Sequence, residues 1–271
     1  MSSLTSGLPN PAAKTPNTSN SPDPAHLFND ADQTSHYARH RPHYPPQLYD
    51  LLYTHAFPDR RPPFHDLTVV DVATGNGQSL GPMPTDFGTC VALDVSPAQL
   101  SEVAPALRQR VQMQLGDAHC TGLPAGSVDL MTVGQALHWF RVEDFYNECR
   151  RLLKPSGVLA AWTYDFGQLY GFDGSQQLYE QLHVGILGPY WAPGRQLVDR
   201  YYVDLEPGLI EHFGEVRRLQ LPMTVSTTPD ELWLRQECLA GLEAAGAGGG
   251  RLTLQRTITL LLAMRPRAPS K

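Results

Sequence analysis

Val69-Val70-Asp71-Val72-Ala73-Thr74-Gly75-Asn76-Gly77-Gln78-Ser79 is the stretch on which the fold turns. An apolar, β-branched run carries one acid near its end and breaks into a short loop with two glycines. A strand buried on both faces reads as such a run. Glycine leaves a loop backbone free to press against a ligand. Cys90-Val91-Ala92-Leu93-Asp94 repeats the pattern and again ends on an acid. Together the two runs predict parallel strands whose tips hold a nucleoside-type ligand.

Working outward, strands and helices alternate. Strands are expected at 67–72, 90–95, 110–115, 128–134 and 157–164. Pro45-Pro46 opens a helix from Gln47 to Ala56, and Ser96-Pro97 opens one running to about Ala106. Val142 to Leu153 has helical apolar spacing and stops at the turn Pro155-Ser156-Gly157. Pro82 and Pro84 should shorten the helix after the glycine loop. This alternation means βαβ units in an α/β fold. Beyond Asp165 the pattern changes. An aromatic insertion, within a cap at about 166–200, should be largely helical. A helix at 202–213, a strand at 215–222, a helix at 229–245, a glycine loop at 246–250 and a closing strand at 257–264 follow. Residues 1–25 are Ser-, Pro- and Asn-rich and read as a disordered tail, with a lid at about 26–60.

Length and composition bound the class. A chain of 271 residues with 41% hydrophobic content suits one large domain with a sizeable core. A net charge of -6 argues against broad nucleic-acid binding. The four cysteines are dispersed without a CxxC pair, so no zinc site is expected. They read as reduced thiols of a cytoplasmic protein. Neither a membrane span nor a leader peptide is expected.

In open parallel sheets, ligands sit beyond the carboxyl ends of the strands. Asp71 to Gly77, Asp94 and Asp117 would lie at three successive tips. Asp94 suits both hydroxyls of a ribose. Asp117, within Gly116-Asp117-Ala118, suits the exocyclic amine of adenine. Each also has a plainer reading: a tight turn, a cap for the helix at Ser96, and a surface turn. Their co-occurrence at three tips favours the ligand.

Further pieces appear in order: Leu123-Pro124, Ser127-Val128-Asp129-Leu130, Gln135-Ala136-Leu137-His138-Trp139-Phe140, and Leu153-Lys154-Pro155-Ser156-Gly157. Upstream stand Tyr37, Arg41-Pro42 and Tyr44-Pro45. On these motifs the chain resembles class I S-adenosylmethionine-dependent methyltransferases, and most closely the trans-aconitate methyltransferase-like small-molecule group. The resemblance implies a doubly wound, mostly parallel seven-stranded sheet with an antiparallel last strand. Residues 257–264 would be that strand, beside the fifth, and 215–222 the sixth.

The resemblance also implies roles. The Asp71 loop, through the Ala73 carbonyl and the Gly75 and Gly77 backbone, would hold the methionine part of S-adenosyl-L-methionine. Asp94, followed by Val95, would take the ribose. Asp117 and Ala118 would bracket the adenine. Gln135 and Ala136 would lie beneath the sulfonium, with Tyr37 and Arg41 closing over the methionine carboxylate or the acceptor. The family usually has glycine where this chain has Ala73. A small-molecule carboxylate acceptor would need only a cation, with Arg41, Arg195 and Arg200 as candidates. A hydroxyl or amine would need a base. His138 is the candidate base, although beside Trp139 and Phe140 it also reads as a packing histidine. Tyr164, Tyr170, Tyr190 and Trp191 either wall the acceptor pocket or form the core of the insertion. Two other functions stay open. In a nicotinamide-dependent oxidoreductase, the third glycine of GxGxxG would stand where Leu80 is. A non-catalytic binding protein could keep the same fold.

Overall fold

The computed structural model describes residues 43–186, 188, 191, 194–228 and 252–264. The expected tail, Tyr37 and Arg41, Tyr190, the helix at 229–245 and the glycine loop lie outside the described residues.

Among the described residues, eight strands form one sheet: β1 (Phe64–Val72), β2 (Phe87–Asp94), β3 (Gln112–Leu115), β4 (Val128–Gly134), β5 (Leu153–Tyr164), β6 (Gln168–Tyr170), β7 (Glu215–Thr227) and β8 (Leu252–Met264). The order is β3-β2-β1-β4-β5-β8, with β7 on the far side of β8. β1 to β5 pair in parallel. β8 runs antiparallel to β5, and β7 antiparallel to β8. This is the doubly wound, mostly parallel sheet with an antiparallel end that the sequence reading expects. The short β6 is an addition. It continues along the β8 edge where β5 leaves off, pairing Gln168–Tyr170 with Thr253–Gln255.

Both faces of the sheet are covered. Because side chains alternate along a strand, Val70 and Val72 face one core and Val69 the other. The first core takes Phe145, Tyr146 and Leu152 of α5 (Val142–Leu152) and Leu209 and Phe213 of α8 (Glu206–Phe213). The second takes Leu48, Tyr49, Leu52 and Tyr53 of α1 (Pro46–Ala56). In α5 the buried side chains recur at helical spacing. Glu143 and Asp144 stand in its first turn and Arg150 and Arg151 in its last, which complements the helix dipole.

Several boundaries differ from the sequence reading. The segment after Gly77 is a run of turns ending in a four-residue helix, α2 (Met83–Asp86). Gly81 there has φ +47, and a Cβ would meet the Tyr49 ring at 2.2 Å, so only glycine fits. The expected helix from Ser96 is two pieces, α3 (Pro97–Ser101) and α4 (Pro105–Arg108). Pro105 cannot donate within a continuous helix, so the chain restarts there. The expected turn at 155–157 lies inside β5, which begins as soon as α5 ends. The pairing shifts register between Val128 and Leu130, which absorbs the extra residues. The insertion holds β6, α6 (Ser175–Glu180), a π-helical stretch at Gln181–Ile186 and α7 (Arg195–Asp199). Tyr202 precedes its expected helix in a left-handed conformation (φ 62), and a 3-10 turn leads into α8. No described helix is long and apolar enough to cross a membrane.

Candidate functional site

The tips of β1, β2 and β4 and the loop after β3 surround a cavity of about 480 Å³. That is within the roughly 300–1,000 Å³ typical of small-ligand sites. Of the residues singled out from the sequence, Ala73, Gly75, Asp94, Val95, Asp117, Ala118, Gln135 and Ala136 line it.

Asp94 sits at the centre of the loop geometry. Its side chain is buried. One carboxylate oxygen accepts the Gly75 amide and the other the Ser96 amide, both at 2.8 Å. Burial raises its pKa, against the lowering effect of these backbone bonds. Each oxygen keeps a further lone pair. The plainer capping reading also holds in part, since the Ser96 hydroxyl accepts from the Gln99 amide at 3.2 Å and opens α3. Gly75 has φ +59, and a Cβ there would meet only Gln99 Oε1, at 3.5 Å.

Asp71 does not reach the cavity. It is fully buried and accepts from Ser79 Oγ at 2.5 Å and Thr132 Oγ1 at 2.6 Å. Burial raises its pKa. It ties the glycine loop to β4, and Tyr49 adds a bond to the Ser79 carbonyl at 3.0 Å. Gly77 also stands outside the lining, at φ +86, where its backbone turns the loop.

Two non-glycine residues at the cavity wall have left-handed backbones: Ala73 and Gln135, both at φ 54. Gln135 is held by its side chain. Its Oε1 accepts from Thr163 Oγ1 and from the Tyr164 amide, each at 2.9 Å. Asp117, also at the wall, accepts the His119 amide at 2.8 Å and meets the His119 ring at 2.5 Å.

His138 is absent from the wall, which passes from Ala136 to Trp139, Phe140 and Arg141. Its Nδ1 meets the Tyr202 hydroxyl at 2.9 Å. Arg195 lies 3.3 Å over the Phe166 ring and pairs with Asp199, and Arg200 pairs with Asp204. Trp191 stacks with His183 inside the insertion. Tyr164 instead meets Tyr44, a cavity residue, edge-on at 6.1 Å.

Beyond the run from Asp71 to Gly77, sequence reasoning missed Gln78, Ser79, Gln99, His119 and Arg141 as cavity residues. Those in the glycine loop could have been found by following the loop itself. Gln99 of α3 and His119 of the loop after β3 carry no motif and reach the cavity only through the fold.

A nucleoside with an amino-acid tail fits this cavity. The Asp94 oxygens can accept two hydroxyl donors, and the side-chain-free Gly75 backbone leaves room beside them.

Residues 70–161 match the family described as Methyltransferase domain. A Dictyostelium discoideum protein named as a methyltransferase is 33% identical over 172 residues, 63% of this chain and 62% of that one. A Saccharomyces cerevisiae protein named as an S-adenosylmethionine-dependent methyltransferase is 23% identical over 156 residues, 54% of this chain and 50% of that one. This chain thus spans less than two thirds of the length of these curated relatives. A solved structure from Anaeromyxobacter dehalogenans, named as a type II methyltransferase, superposes with a TM-score of 0.59 at 25% identity. It covers 85% of this chain and 99% of that one.

Proposed function

We propose that this chain, which carries the class I methyltransferase fold, is an S-adenosylmethionine-dependent methyltransferase acting on a small molecule. The observation that carries the reading is the Asp94 carboxylate, fixed by two backbone amides at the tip of β2 beside a glycine loop. When bound, the cofactor supplies an electrophilic methyl carbon on a sulfonium leaving group. The chain's own task is to hold, align and exclude water. Asp94 accepts the ribose hydroxyls, Val95 offers an apolar face to the adenine, and the Ala73–Asn76 backbone holds the amino-acid end. Gln135 and Ala136 form the floor at the reacting centre. Trp139 and Phe140 close the wall against water.

The acceptor we assign is a small carboxylate, as in the trans-aconitate-like group. A carboxylate is ionised at neutral pH and needs no base. The engagement of His138 with Tyr202, away from the cavity wall, favours such an acceptor. Residues 166–200 would form the acceptor-side cap. α1, which lies within the lid expected at 26–60, packs in the second core instead, so only the residues before it would form a lid, with Tyr37 and Arg41 over the methionine carboxylate or the acceptor. Against a dinucleotide, Leu80 is buried where the third glycine would be needed, and turns rather than a long helix follow the loop.

Calorimetric titration with S-adenosylmethionine and with NADH tests the reading. Heat with the first ligand alone is expected, and no heat with it rejects the proposal. Asp94→Ala should weaken that binding by at least about tenfold, the cost of a lost hydrogen bond to a charged group. Incubation with labelled cofactor and a metabolite extract, read by mass, would identify the species that gains a methyl group.

A further inference from the structure

The adenine end of the cavity is closed by two loops from different strands. One follows β3 and carries Asp117, Ala118 and His119. The other follows β4 and carries Phe140 and Arg141. The first is anchored from behind, where Glu148 of α5 accepts from the Thr121 amide at 2.8 Å and the Thr121 hydroxyl at 2.7 Å. Across the front, one side chain joins the two loops. The Arg141 amide donates to His119 Nε2 at 3.0 Å. An amide N–H is a donor only, so Nε2 must be the bare nitrogen. A neutral imidazole with a bare Nε2 carries its proton on Nδ1. Nδ1 lies 2.5 Å from Asp117 Oδ1, an acceptor. Every group in the chain Asp117–His119–Arg141 therefore has the partner its chemistry requires. Phe140 supports the ring edge-on at 5.7 Å. Burial alone would raise the Asp117 pKa, but the amide and imidazole bonds from His119 outweigh it and hold it low.

We propose that His119 is a positioning residue for the adenine end of the site: as its Nδ1–H tautomer it clamps the Asp117 loop to the Arg141 loop and aims the Asp117 carboxylate. The inference rests on the methyltransferase reading for the identity of the ligand. The clamp itself is a property of the protein alone. Oδ1 of Asp117 is spent on His119, so Oδ2 is the oxygen left to accept the adenine amine. Without the clamp, both loops would have to be ordered at the expense of binding.

Two substitutions and one spectrum test it on the full chain. Glutamine can donate from its amide nitrogen and accept at its oxygen, so His119→Gln can keep both bonds. Alanine can keep neither. In titration with S-adenosylmethionine, His119→Ala should bind about tenfold more weakly or worse, and His119→Gln should stay within about threefold of wild type. Equal binding by all three proteins overturns the proposal, as does equal weakening in both variants, which would mean only lost packing. Nitrogen-15 spectra of the wild-type imidazole decide the tautomer without any ligand: an Nδ1–H signal supports the clamp and an Nε2–H signal refutes it. A wild type that takes up no S-adenosylmethionine, yet shows Nδ1–H, would sink the methyltransferase reading and leave the clamp standing.

Discussion

At single residues, the site combines strain with over-determined hydrogen bonding. Ala73 and Gln135 both hold φ 54 at the tips of β1 and β4. A left-handed backbone costs an L-residue roughly 1–2 kcal/mol, and such costs persist where the surroundings enforce the conformation. Gln135 is enforced by its bonds to Thr163 and Tyr164. At Ala73 the strain has a simple test. Glycine removes the Cβ penalty but adds about 0.5–1 kcal/mol of chain entropy. Ala73→Gly should therefore be as stable as the parent or up to about 1.5 kcal/mol more stable. Ala73→Val should lose about 1–3 kcal/mol, because a β-branched side chain suits this region worst. Urea denaturation checks both, and a clear loss in the glycine variant would mean the methyl group is needed for packing. Asp94 shows how far a residue is legible in sequence. Its two readings, ligand acceptor and helix cap, are not alternatives, because a carboxylate has lone pairs enough for both.

Among the elements, a boundary was legible where a local signal marks it. Ser96-Pro97 opens α3 as expected, because a cap is a local event between neighbouring groups. Its end was misplaced because Pro105 restarts the chain as α4. The run-on from α5 into β5 could not be read locally either, since pairing with β4 draws Leu153 into the sheet. α5 also yields a pH prediction. Its Glu148 is held down from an ordinary 4.5 to about 2, first by its bond to Arg151 and then, against some burial, by Thr121. A folded-state pKa below the unfolded one stabilises fully above the unfolded value, and that stability is lost as pH falls toward the folded value. Glu148 should therefore stabilise the fold above about pH 4.5 and lose this contribution between about 4.5 and 2. Glu148→Gln should melt lower at neutral pH and flatten the pH dependence of Tm in that window. Circular dichroism melts across pH check this, and an unchanged slope would remove Glu148 from the account.

Across the whole molecule, the cavity exists because strands far apart in sequence end side by side. β1 lies between β2 and β4, so their tips share one edge. A ligand that binds there and not to the unfolded chain must stabilise the fold by mass action. At a hundredfold excess over Kd the gain is about 2.7 kcal/mol. For a domain of this size that should raise Tm by roughly 5–10 °C. A thermal-shift assay should show this rise with S-adenosylmethionine and none with NADH. Equal shifts would point to a less selective nucleoside site.

The sequence by itself determined the class of fold, the strand tips and eight of the residues at the cavity wall. Those features are written in short-range patterns: apolar runs, glycines, a cap, an acid at a strand end. Only the tertiary structure decided that Asp71 is an internal tie, that His138 turns to Tyr202, and that His119 joins two loops. Each of these depends on which distant group lies within about 3 Å. That distance is set by sheet order and packing, and no local stretch of chain encodes it.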